Sequence, residues 1–115
     1  MENMSPAQLS LKSLRDRGYL VEMVEHYNYF THRRKDLWGF IDIIAVKENR
    51  ILVVQVAGGI GEKNKHLKKI GESEFFPIVK SSGIEIELHI WRKLITSRYK
   101  NGNPKRTWEN DITKL

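Results

Sequence analysis

Two apolar runs in this chain each carry a single polar side chain. Residues 39–46 read Gly-Phe-Ile-Asp-Ile-Ile-Ala-Val around Asp42, and residues 51–57 read Ile-Leu-Val-Val-Gln-Val-Ala around Gln55. Aspartate is depleted in strands, and a carboxylate among apolar neighbours is costly unless it is paired or coordinated. A divalent cation would offset that cost, with oxygen ligands from Asp42, from the Gln55 amide and from a backbone carbonyl such as that of Val56. An ion held there would activate water and stabilise charge growing on a phosphate. Two simpler fates stand beside this one: Asp42 hydrogen-bonds Gln55 and nothing more, or it pairs with Arg33, Arg34 or Lys35. The chain has no cysteine, which excludes disulfides and thiolate sites. Any metal therefore rests on oxygen or imidazole, which favours Mg²⁺ or Mn²⁺.

The elements around these residues must bring them together. β-branched residues on either side of the polar turn at 47–50 predict a hairpin. A symmetric turn opposes Val46 to Ile51, Ile44 to Val53 and Asp42 to Gln55. Opposed residues share a sheet face, with Cβ atoms about 4.5–5.5 Å apart, so the two polar side chains of these strands become neighbours. Upstream, Ser5 caps a helix that has Pro6 at its first position, Leu9, Leu11 and Leu14 on an apolar side, and Gly18 as its stop. Residues 19–26 read as a strand and 27–35 as a polar, basic loop. Downstream, Gly58 and Gly59 break the third strand. Residues 63–70 read as a helix, and 72–81 hold another, interrupted near Pro77. Residues 84–91 alternate, with Ile84, Ile86, Leu88 and Ile90 on one face and Glu85, Glu87, His89 and Trp91 on the other, as in a half-buried strand. The tail at 92–115 is polar and basic, with one late strand over 107–112. This order predicts one α/β domain with a mixed sheet and helices packed on it.

The length of 115 residues suits a single domain, and no apolar run approaches the roughly 20 residues that span a bilayer. Residues 1–5 lack the basic-then-apolar pattern of a secretory signal, so the cytosol is the expected compartment. The net charge of +6 suits a polyanionic partner. The cations fall in three clusters. Arg33, Arg34 and Lys35 lie among Tyr27, Tyr29, Phe30 and Trp38. Lys63, Lys65, Lys68 and Lys69 lie on the predicted helix, and Arg92, Lys93, Arg98, Lys100, Lys105 and Arg106 in the tail. Together they could grip a phosphate backbone on either side of the hairpin, although each cluster alone reads equally as a solvated face. Trp91 and Trp108 are candidates for stacking on bases or for packing under the tail. His26, His32, His66 and His89 show no metal-ligand spacing and read as polar surface or strand residues. Gly58-Gly59-Ile60-Gly61 precedes a helix but lacks the Gly-Lys-Ser/Thr ending of a P-loop, so it reads as a turn.

Gly39-x-x-Asp42, the thirteen-residue step to Gln55 and the ending Gln55-Val56-Ala57 resemble the core of the PD-(D/E)XK nuclease superfamily. Its archaeal-type Holliday-junction resolvases and VRR-NUC domains are the most similar, together with small phage-encoded proteins of this pattern. The likeness extends over residues 5–91. It implies a restriction-endonuclease-like α/β fold and a Mg²⁺- or Mn²⁺-dependent endonuclease that acts on DNA phosphodiesters. A symmetric dimer would fit the resolvases. It makes Asp42 the metal-binding aspartate, with Gln55 in place of the usual glutamate and the Val56 carbonyl as a further ligand. Ala57 stands where the family carries its catalytic lysine, and Gln8 near the helix glutamate of resolvases. Glu25 or Asp36 could supply a second carboxylate, and Lys63, Lys65, Lys68 or Lys69 could replace the lysine. Each of these also reads as an ordinary surface charge. The alternative function is a nuclease fold without catalysis that binds nucleic acid or a protein partner, and a small structural protein is a third.

Overall fold

The computed structural model describes residues 4–59 and 61–115. Helix α1 spans Pro6–Asp16, with the Ser5 side chain and the Gln8 side chain closing a reciprocal capping box. The chain continues through β1 (Leu20–Met23), β2 (His26–Asn28), β3 (Arg33–Lys35), β4 (Ile43–Lys47) and β5 (Arg50–Gly58). Helices α2 (Lys63–Glu72) and α3 (Phe76–Ser81) follow, then β6 (Glu85–Arg98) and β7 (Pro104–Lys114).

Five strands form one sheet in the order β1-β4-β5-β6-β7. Among the described residues only β5 and β6 run parallel, joined by α2 and α3. The expected mixed α/β sheet with flanking helices is the architecture found. The β4–β5 register has the expected symmetric turn, with Val46 opposite Ile51 and Ile44 opposite Val53. Asn49, at φ 60°, supplies the left-handed residue of that turn.

Side-chain alternation splits the core between the two sheet faces. Leu52 and Val54 of β5 pack with Leu14 and Tyr19 on the α1 side. Val53 packs with Ile70 of α2 and Val79 of α3 on the other. Gly58 closes β5 because Pro6 lies over it: a Cβ there would sit 2.9 Å from the proline Cγ. No helix among the described residues is long and apolar enough to cross a membrane.

Three readings of the sequence need correction. Residues 27–35 are not a plain loop, since His26 pairs with Lys35 and Asn28 with Arg33 in a separate hairpin. Its side chains are exposed on both strands, so it carries no apolar alternation to signal it. The basic tail is not a tail. Strand β6 runs on to Arg98 and β7 pairs back along it. The outer face of residues 84–91 is solvated at Glu85 but not beyond it, because α1 covers Glu87, His89 and Trp91, which are buried.

Beneath α1 that face carries a linked polar chain. Arg17 donates to both oxygens of Glu87 at 3.0 Å. His89 Nε2 lies 2.8 Å from Glu87 Oε1, and its Nδ1 lies 2.8 Å from Ser10 Oγ. Ser10 Oγ also accepts from the Trp91 indole N–H at 2.7 Å. Ser10, His89 and Glu87 thus stand in the order of a hydrolytic triad, yet Ser10 is fully buried and admits no substrate. The network instead ties α1 to β6. Ser10→Ala leaves the Trp91 indole and the His89 ring each short of a partner, at roughly 1–3 kcal/mol per orphaned group. Urea denaturation should show a lowered midpoint with an unchanged slope.

Candidate functional site

Asp42 enters β4 from a tight turn. Its N–H donates to the Val54 carbonyl at 2.9 Å, and its own carbonyl accepts from Val24 N–H at 2.8 Å. The aspartate is thereby clamped between the β1 edge and β5. Its side chain faces the α2 side of the sheet. There Gln55 Nε2 donates to Asp42 Oδ2 at 2.6 Å, and Val56 N–H donates to the same oxygen at 2.9 Å. The expected neighbours are therefore in direct contact, and both are buried.

Two more carboxylates converge on this point. The Val24–Asp42 bond leaves Glu25 beside Asp42 as the chain passes from β1 to β2. The Leu37–Ile41 bridge folds Asp36 back over it. Oxygens of Glu25, Asp36 and Asp42 all lie within 4.8 Å of one another. Burial pushes the Asp42 carboxyl up to about 8 from its ordinary 3.8; the Val56 N–H opposes this, and the like charges of Asp36 and Glu25 add to it. A cation would reverse that cost, because it favours the charged form that burial and repulsion disfavour.

The donor set fits a hard divalent ion. All the donors are oxygens, and one is orphaned: Gln55 Oε1 is buried without a hydrogen bond to any described residue. The Val56 carbonyl lies 3.5 Å from Gln55 Nε2, so it borders the same space. Glu25, Asp36, Asp42, Gln55 and the Val56 carbonyl are the groups that could hold the ion.

Lysine arrives from α2. Lys69 Nζ lies 2.6 Å from Asp36 Oδ2, which puts a cation against the carboxylates. Lys63 points elsewhere, to Asp111 at 3.9 Å, so within this helix it is Lys69 and not Lys63 that meets the cluster. Lys65 and Lys68 pair along the helix with Glu62 and Glu72. Ala57 is half-buried against the apolar core on the α2 side. Of the β3 cations, Arg34 reaches Glu25 at 3.5 Å, while Arg33 and Lys35 are exposed on the hairpin. No described ion pair joins any of the three to Asp42, so the simple surface pairing gives way to the Gln55 and Val56 hydrogen bonds. Trp91 is committed to Ser10 and meets Trp108 edge to face at 6.5 Å. Packing, and not base stacking, accounts for Trp91.

A groove of about 860 Å³ opens beside the cluster. Asp36, Trp38, Lys35, Lys69 and Phe75 are among the residues that line it. Trp38 was singled out in the sequence only as one aromatic near a basic run. Its backbone lies in the left-handed region at φ 52°, which a bulky side chain adopts at a cost of about 1–3 kcal/mol. No sequence signal marks that strain.

The mixed sheet flanked by helices, with Asp42 and Gln55 at the β4–β5 hairpin, defines a restriction-endonuclease-like α/β fold. A UPF0102 protein of Fervidobacterium nodosum is 28% identical over 86 residues, which make up 75% of this chain and 59% of that protein. The chain thus spans less than two thirds of the relative's length. No family model and no solved structure matches the chain.

Proposed function

We propose that this chain is a metal-dependent nuclease that cleaves DNA phosphodiesters, with its active centre at Asp42, Asp36 and Glu25. One observation carries the reading: three carboxylates within 4.8 Å, Asp42 buried and Glu25 and Asp36 half-buried, share one corner with an orphaned amide oxygen. The divalent ion such a corner would take, Mg²⁺ or Mn²⁺, supplies charge for the phosphate and a more acidic water. The residues of the chain do the rest. Asp42, gripped by two N–H donors, orients the corner. The Asp36 carboxylate holds Lys69 in place, and that ammonium stands in for the lysine missing at Ala57. Its charge favours the ionised carboxylates and is set to stabilise an anionic phosphate. Lys35, Lys65 and Lys68 line the adjoining groove and would neutralise neighbouring phosphates.

Ala57 itself favours a second reading, a nuclease fold that binds nucleic acid without cutting it. The deciding measurement is cleavage of branched, single-stranded and duplex DNA in Mg²⁺ or Mn²⁺. The wild type is expected to cut at least one of these substrates. Lys69→Ala is expected to cut it about a hundredfold more slowly while binding it nearly as well. Absence of cleavage by folded wild-type protein, with salt-sensitive DNA binding retained, would establish the binding module instead. Action on a four-way junction also calls for two symmetric active centres, which sedimentation would show as a dimer.

A further inference from the structure

Two aromatic side chains on the rim of the groove are partly exposed. Trp38 is 41% exposed and Phe75 40%. Both line the large groove, and both also border a smaller apolar hollow of about 180 Å³ with Ile78, Val79 and Ile84. One hydroxyl fixes the pair: Ser73 Oγ donates to the Trp38 carbonyl at 2.9 Å and accepts from Phe75 N–H at 3.2 Å. That hydroxyl helps to hold the tryptophan in its left-handed conformation. Strain kept at an exposed aromatic indicates a constraint other than core packing.

Position completes the case. Trp38 follows Asp36 by two residues, so at most about 7 Å of backbone separates the aromatic from the carboxylate cluster. That is within the reach of one nucleotide. On the far side, Lys69 and Lys65 face the same groove. The groove therefore pairs flat apolar surface with flanking cations, which suits a base joined to phosphates. It suits an uncharged apolar peptide less well. Lys35, Lys65, Lys68 and Lys69 face Asp36, Glu72 and Glu74 across the groove, so its lining keeps a positive balance.

We infer that Trp38 and Phe75, braced by Ser73, form a stacking platform for an unpaired base next to the carboxylate cluster, so that the chain takes single-stranded or locally unpaired nucleic acid. This rests on the nuclease reading and adds the substrate class to it. A base inside a duplex cannot present its face to a side chain, whereas an unpaired one can, and stacking on aromatics tolerates any base.

The test is binding of labelled oligothymidylate of about twelve nucleotides, beside a blunt duplex of the same length, in EDTA so that nothing is cut. Trp38→Ala should weaken binding of the single strand by roughly 5- to 150-fold, the span expected for one stacked base. Phe75→Ala should weaken it in the same sense. Trp38→Phe keeps an aromatic face and should restore most of the affinity. The duplex, gripped through its phosphates, should bind all four proteins alike. Thermal melts identify any variant that has lost its fold, and Trp38→Phe and Phe75→Ala keep the test decisive if Trp38→Ala is one of them. Unchanged single-strand affinity in the folded variants would overturn the platform. So would equal losses on single strand and duplex. If the wild type prefers duplex and Lys69→Ala still slows its cleavage, the platform falls and the nuclease reading stands. If the wild type binds and cleaves no nucleic acid at all, both fall.

Discussion

Asp42→Asn should abolish metal-dependent cleavage while leaving the protein as stable as the wild type or more so. The two effects share one cause. The Asp42 carboxyl, pushed up to about 8, is protonated at neutral pH when no cation is bound. Asparagine reproduces that neutral form in shape, and its carbonyl oxygen can accept the hydrogen bonds that Gln55 Nε2 and Val56 N–H donate. The folded wild type keeps a proton that the unfolded chain releases above its ordinary 3.8, so its stability falls as pH rises from about 4 to about 8. The slope reaches at most about 1.4 kcal/mol per pH unit within that window. The variant lacks this slope. Urea melts should therefore coincide near pH 4 and favour the variant increasingly toward pH 8. Cleavage should drop by about 10²–10³-fold or more, because the amide brings no charge to the ion. For the same reason Mn²⁺ affinity of the wild type should climb with pH up to about 8, with release of a proton on binding. An asparagine variant that cuts like the wild type would remove Asp42 from the chemistry. A variant destabilised equally at every pH would mean that the carboxyl is charged in the folded protein.

Glu87→Gln should destabilise the fold strongly and leave the carboxylate corner intact. Burial by itself would raise the Glu87 carboxyl, but the hydrogen bonds from His89 and Arg17 outweigh it and bring it to about 2, below the ordinary 4.5. A depressed carboxyl contributes stability that is fully present above 4.5 and is lost as pH falls toward 2. The shift corresponds to stability on the order of 3 kcal/mol at neutral pH. Glutamine keeps the shape but cannot accept the bidentate Arg17 pair as an anion, and it leaves the guanidinium half-buried against a neutral group. Denaturation midpoints should differ most at pH 7 and converge near pH 2. Glu87 lies on the α1 face of the sheet and Asp42 on the α2 face, so cleavage by the folded variant should match the wild type. Equal stability at pH 7 would mean that the ion pair contributes nothing net; a gap that persists at pH 2 would point to lost packing instead of lost charge.

The contrast between these two acids shows what a sequence can and cannot place. Local periodicity and turn chemistry were enough to determine the β4–β5 hairpin and its register, because a half-buried strand has only one way to keep its apolar residues inside. Contact between Asp42 and Gln55 follows from that register. The helix at Pro6–Asp16 was equally legible, since Ser5, Pro6 and Gly18 act within a few residues of one another. The β2–β3 hairpin was not, because both of its strands are exposed and leave no apolar alternation in the sequence.

Tertiary structure alone decided the rest. The sequence offered Glu25 and Asp36 only as alternative second carboxylates and Lys69 as one of four lysines; a bridge at Leu37–Ile41, an edge bond from Val24 and the packing of Ile70 bring all three to one corner. The choice of Lys69 over Lys63 depends on which face α2 turns to the sheet, and contacts distant in the chain set that rotation. The buried chain from Ser10 to Glu87 joins residues up to 81 positions apart, and the alternation of residues 84–91 gave it the pattern of a solvated face. Periodicity records which residues lie together on a face. Whether water or another element covers that face is decided by segments that meet only in the folded chain.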